Sequence, residues 1–329
     1  MGHEYYWGWL MIGDVFLAGT GAGAALVSAW VFLRGPGSGY GESYFDVARL
    51  GAFIGPIPAA VGIALLAAEL GRTFRGLNIY TSNIWFAPLS TSPMNYGSWA
   101  MLLFIVFGSL YALSFMPWSR WIGETSSVVR ISAKSRKPLA AICLPITVAV
   151  VTYPGIMLGA MPARPFWNSP LLAAVFVLSA VLTGIAAIML AYRVFHKTGR
   201  EEQADRRYQR ASGQLAALAA GLIIAELIVI VLFILYANFG GLHRSFAIRA
   251  ILPGGELATA FWVGAVVIGL LVPAVAVLVF VRPRSNGDYR SLWIMYAAAI
   301  VIPISILAGG LMLRYVMVIG GQITGLVGL

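Results

Sequence analysis

Three side chains able to exchange protons stand where hydrocarbon surroundings are expected: Asp14 in "LMIGDVFLAG", Glu69 in "ALLAAEL" and Tyr153 in "VVTYPGI". A charged carboxylate at the centre of a bilayer costs about 2.5–3.5 kcal/mol to insert, so such a residue needs a reason to be there. Asp14 has no Lys or Arg within one helical turn, which makes the neutral carboxyl the cheaper form in an apolar setting. As a neutral acid it donates a hydrogen bond to a carbonyl; as a carboxylate it accepts a proton. The simpler alternative is a hydrogen bond to a Ser, Thr or Tyr on a neighbouring helix. Tyr153 precedes Pro154 and Gly155, a pair that interrupts the helical ladder and opens space, which a membrane tolerates only where protein or a cavity satisfies the freed groups. Its alternative is a place in an interfacial aromatic belt.

Two further charges lie within apolar runs. Glu226 sits mid-run in "LIIAELIVIV" and is expected to serve a proton path or to partner another polar group. Arg314 in "LRYVMVIGGQ" is expected to pair with Glu256 or Glu69, or else to snorkel to the headgroups. Gly19, Gly21 and Gly23 in "AGTGAG" resemble a dinucleotide fingerprint only superficially, because no strand precedes them. Small residues there allow close helix packing or let a flat ring lie against the backbone.

The elements that position these groups follow from composition. Of 329 residues, 60% are hydrophobic and 10% charged, and the mean hydropathy is +0.86. Those values indicate an all-α integral membrane protein. A span needs roughly 20 apolar residues. Eight runs qualify, at 7–33, 48–70, 96–117, 138–160, 169–195, 212–238, 257–281 and 291–319. The first lacks a basic leader and opens on Trp7 and Trp9, so it reads as a retained span. The whole sequence, 1–329, reads as a single membrane domain.

Charge sets the orientation. Sixteen of the 22 Lys and Arg fall in loops on the side opposite the N-terminus, among them Arg49, Arg130, Lys134, Arg136, Arg193 and Arg207. The positive-inside rule puts those loops in the cytoplasm and both termini outside, in the periplasm of a Gram-negative cell. With its positive charge in short loops, the protein offers no basic stripe for nucleic acid.

Other chemistries are narrowed by Cys and His. Cys143 is alone, whereas an iron–sulfur cluster takes about four thiolates. His3, His196 and His243 lie at a terminus or in loops, so paired histidine ligands for haem are not expected within the spans. Metal centres are therefore expected in a partner. On the outer side, 71–95 and 239–256 are longer than a bundle needs and carry aromatic residues, which favours folded caps with a docking surface over disorder. The depth of the acids fits the same end: Asp14 and Tyr153 each lie about seven residues, roughly 10 Å, inside the outer interface.

Three stretches in order, "ELGRTFRGLN" with "TSPMNYGSW", "TYPGIMLGAMPARPFWNSP" and "GGLMLRYVMVIGGQ", resemble the membrane subunits of the NrfD and polysulfide reductase family. The resemblance implies eight helices in two four-helix groups, here 1–165 and 166–329, with a quinone or quinol near the outer face. Menaquinone is expected before ubiquinone, and no metal, haem or cluster in this subunit. A ferredoxin-like iron–sulfur subunit would dock on loops 71–95 and 239–256 and connect to a catalytic subunit of the molybdopterin type. Asp14, Tyr153 and Glu69 would act on the quinone and its protons, with Gly19 and Arg72 completing its site. In polysulfide-reductase-like members a His stands at the place corresponding to Asp14, so the contact differs here while a protonatable group is kept. Two other classes remain open, a secondary transporter with Asp14 and Glu226 as ion sites and a purely structural membrane anchor.

Overall fold

The computed structural model describes residues 7–69, 80, 92–118, 126–196, 202–280 and 289–325, over 279–280 and 289–298 for the backbone alone. Among them, eight helical segments are long and apolar enough to cross a membrane, as expected of a multi-pass membrane protein. The first is α1 (Trp9–Arg34). The second is broken into α2 (Tyr44–Ile54) and α3 (Pro56–Glu69). Then follow α4 (Pro93–Ser114), α5 (Ser127–Gly159), α6 (Leu171–Phe195) and α7 (Glu202–Phe239). A short α8 (Leu242–Ile248) leads to a π-helix over Ala260–Leu271, continued by α9 (Val272–Phe280), and α10 (Tyr289–Ile323) is the last helix.

The differences from the sequence expectation have local causes. The second span starts earlier than expected and breaks at Gly55, because Pro56 supplies no N–H to continue the ladder. Helices α5 and α7 begin about ten residues ahead of their apolar runs. Hydropathy detects the part of a helix in lipid, whereas the backbone hydrogen bonds continue past the interface. The charged stretch 202–211 is thus a helical extension of the sixth span.

Helix α1 lies at the centre and touches α2, α3, α5, α6 and α10. It is apolar on every side, as a helix enclosed by others must be. Small residues let it approach its neighbours: a Cβ on Gly23 would collide with the Ala180 carbonyl of α6, and one on Gly184 with the Ala24 amide of α1. A second seam joins the π-helix to α10, where Gly269 and Gly309 lie backbone to backbone.

The two ends of the bundle differ. At one end Trp7 and Gln322 exchange two hydrogen bonds of 3.0 Å, Trp7 stacks on Trp167, and Arg164 donates to the Gln322 carbonyl. The beginning and end of the described residues therefore meet. The opposite end carries most of the described basic residues. There Ser132 and Arg136 donate to the Ser114 carbonyl at 2.7 and 2.9 Å, satisfying the C-terminus of α4, and Arg136 lies over the rings of Phe45 and Phe115.

Candidate proton and quinone site

Helices α1 and α3 run antiparallel in a register that small residues define. Gly8 faces Glu69, Gly13 faces Leu65, Asp14 faces Gly62, and Gly21 faces Gly55. Asp14 is 2% exposed. A side chain on Gly62 would run into its Oδ1 and backbone, so the glycine is the seat of this carboxyl. Among the described residues Asp14 Oδ1 has no hydrogen-bond partner, which removes the expected alternative of a polar tie between helices for that oxygen.

Glu69 is placed by a different interaction. Its Oε1 accepts a 2.7 Å hydrogen bond from the Gly8 amide, directly ahead of α1. The carboxylate thereby caps the positive end of the α1 dipole from a neighbouring helix. Its Oε2 is buried without a partner among the described residues. Asp14 and Glu69 are near enough to interact electrostatically, although their levels along α3 differ by seven residues, about 10 Å.

Tyr153 comes to the same region from α5. Its ring covers the backbone of Gly97 in α4, so closely that a Cβ there would fall within the ring. The Tyr153 hydroxyl is within electrostatic reach of Asp14 and of Tyr80. Tyr80, outside the spans, donates to the Ser98 carbonyl at 3.3 Å and packs edge-on against Trp99. Burial raises the Tyr80 phenol above its usual range, opposed by the Ser98 hydrogen bond, so it stays a protonated donor at neutral pH. Asn95, at the start of α4, is buried with an unpartnered Oδ1 among the described residues.

Asp14, Glu69 and Tyr153 are thus brought together from three spans. Gly19 is not part of that group. Five residues along α1 turn it about 140° from Asp14, and it packs against Ala180 and Arg314 instead. Arg72 and most of loop 71–95 lie outside the described residues. The second loop expected on the outer side, 239–256, is folded: α8 is followed by turns, Trp262 donates to the Ile251 carbonyl, and Arg244 reaches Asn168. Leu242 and Phe246 on α8 are exposed.

The sequence reading missed Gly62, Gly97 and Asn95. The glycines carry no chemistry of their own and look like any other small residue of a span. Only their partners identify them as positioning residues. The sequence expectation makes Asn95 the last residue of loop 71–95, whereas it lies buried in the first turn of α4.

A second buried polar group lies deeper. Arg314 is 2% exposed and neither snorkels nor meets Glu256, which is exposed, or Glu69. Its guanidinium lies over the Phe176 ring and donates to the Phe176 carbonyl at 3.2 Å. It interacts electrostatically with Glu226, which also contacts Ser179. A void of about 10 Å³ beside Glu226 is lined by Ser179, Thr183 and Gly310. That is near the smallest space that holds one water.

The family model described as "Polysulphide reductase, NrfD" matches residues 1–326. The C subunit of polysulfide reductase from Wolinella succinogenes is 27% identical over 328 residues, covering 96% of this protein and 94% of the relative. Protein NrfD of Escherichia coli is 24% identical over 324 residues, 97% and 95% of the two sequences. An NrfD homolog of Haemophilus influenzae is 24% identical over 286 residues, 84% and 83%.

Proposed function

The chain belongs to the NrfD family of polysulphide reductase membrane subunits, and from that premise we propose that it oxidises or reduces membrane quinone for a partner on the terminal side. In this reading the spans form two four-helix groups in the cytoplasmic membrane, with both termini in the periplasm. An iron–sulfur subunit docks over 71–95 and 239–256 and links the protein to a molybdopterin-type catalytic subunit. The quinone, expected to be menaquinone, supplies two-electron, two-proton chemistry when bound.

The observation that supports the reading best is the convergence of Asp14, Glu69 and Tyr153 at one end of the bundle, with an acid oxygen left unpaired. A buried acceptor or donor without a partner is costly, and a ligand oxygen resolves that cost. Gly62 and Gly97 fit the same purpose, since each holds an acid or a phenol where a side chain would displace it. Asp14 holds or releases a proton at Oδ1, Tyr153 orients the second oxygen through its hydroxyl, and Glu69 carries the proton toward the surface. Exposed Leu242 and Phe246 offer apolar contact to the docked subunit.

The test is quinol-driven electron transfer by the purified complex, with Asp14→Asn and Tyr153→Phe beside the parent and assembly verified for each. Loss of a positioned acid or base typically costs about 100-fold or more. The expected result is a fall of that order for Asp14→Asn, a smaller fall for Tyr153→Phe, and unchanged catalysis with an artificial donor that bypasses the membrane. Parent-like quinol turnover in both assembled variants would remove these residues from the reaction.

A further inference from the structure

A second cavity, of about 850 Å³, lies at the basic end, far from the acid group. It is formed between α2, the end of α6 and the start of α7, and its size falls within the range of about 300–1,000 Å³ usual for ligand sites. Two arginines, Arg49 and Arg207, stand on its wall with a single carboxylate, Asp46, which interacts with both. Neither arginine makes an ion pair within 4.0 Å among the described residues. His196, also on the wall, is already engaged: its Nε2 lies 2.8 Å from Asp205 and its ring stacks on Tyr208. Among the described residues the polar rim thus keeps an unmatched positive charge.

The remaining wall is apolar. Leu50, Phe53, Ile54 and Ile57 follow Arg49 toward the middle of the second span, over about 12 Å at the helical rise. Phe195 faces them from α6. Ile57 is 63% exposed and Phe195 73%, so the apolar wall opens toward the surface that lipid covers. The Arg49 guanidinium lies 6.0 Å over the Phe53 ring, which holds the charge at the boundary between the two halves.

We infer that this cavity binds an anionic glycerophospholipid, its phosphate between Arg49 and Arg207 and one acyl tail along Phe53, Ile54 and Ile57. A free phosphate would use the arginines and leave the apolar wall without a purpose. A neutral ring would use the wall and leave the cations unmatched. A lipid of net negative charge uses both, and basic pockets between spans recognise such headgroups by charge and hydrogen bonding.

The experiment uses the purified, delipidated full-length protein in detergent, with native mass spectrometry and thermal unfolding as readouts. Phosphatidylglycerol is compared with phosphatidylcholine of the same acyl composition and with inorganic phosphate. The parent is expected to retain phosphatidylglycerol about tenfold better than phosphatidylcholine, in line with the attraction of two cations near a membrane surface. The Arg49→Gln/Arg207→Gln pair should lose that preference, and Lys134→Gln should keep it. Ala191→Phe sets a ring into the cavity between its two walls with both arginines intact and should also weaken that preference, which covers the case in which the double variant does not fold. Equal retention of the two lipids by the parent, or a preference that Ala191→Phe leaves unchanged, overturns the inference. Protection by inorganic phosphate equal to that by phosphatidylglycerol overturns it too, in favour of a free-anion site.

Discussion

Two buried polar groups, one near the surface and one deep, divide the residue-scale chemistry of this protein. In the group at the terminal end, a glycine makes room for two of the three side chains: Gly62 for Asp14 and Gly97 for Tyr153. Gly97→Val should therefore displace the Tyr153 ring and lower quinol turnover at least tenfold while Asp14 stays intact, and Gly97→Ala should do less; steady-state rates of the assembled complex measure both. In the deep group, Glu226 and Arg314 lack full hydrogen bonding among the described residues. Glu226 and Arg314 make no ion pair within 4.0 Å among the described residues but interact electrostatically, so removing one leaves the other buried charge less compensated. Glu226→Ala and Arg314→Ala should each lower the thermal midpoint in detergent, whereas Glu226→Gln/Arg314→Met, which removes both charges and keeps the bulk, should be milder than either. The identities of Asp14, Tyr153 and Glu226 were legible as polar residues in apolar runs. The partner of Arg314 was not, since expected depth pointed to Glu256 or Glu69 while the fold turns it toward Glu226.

At the scale of elements, close contact between backbones replaces the hydrophobic effect as the source of order, because lipid is as apolar as the helix faces. Gly23 and Gly184 join α1 to α6, and Gly269 and Gly309 join the π-helix to α10. Gly184→Leu should separate α1 from α6, with a loss of several kcal/mol from overpacking and strain. The measurements are yield of folded protein and thermal midpoint, and a parent-like midpoint would contradict the close packing. The break at Gly55 and the seat at Gly62 belong to one antiparallel register. A one-residue shift of α3 would take Gly62 away from Asp14 and Glu69 away from Gly8. The positions of the eight apolar runs were readable from hydropathy, but the π-helix and this register were not. Both depend on which neighbour each face meets.

For the whole molecule, the even number of described spans and the Trp7–Gln322 contact put the start and end of the described residues at one end and most of the described basic residues at the other. Orientation is testable with one native cysteine to remove, buried Cys143. In a Cys143→Ser background, a membrane-impermeant maleimide should label Glu256→Cys in intact cells and Lys134→Cys only after permeabilisation; the reverse pattern would invert the proposed topology. Sequence alone determined that this protein spans the membrane, how many times, and which loops are basic. Transfer free energy is summed over about 20 consecutive residues, so it is encoded locally. Sequence order likewise carried the family, through motifs spread from the second span to the last. Only the tertiary structure decided which of these groups lie within electrostatic reach of one another. Asp14, Glu69 and Tyr153 come from α1, α3 and α5; Asp14 and Tyr153 are seated where Gly62 and Gly97 leave room, and Glu69 is held by the Gly8 amide. It also set Gly19 beside Ala180 and Arg314, and brought Arg49 and Arg207, distant in sequence, to one cavity. Such pairings are set by rotation and register of packed helices, which a hydropathy pattern apolar on all sides cannot specify.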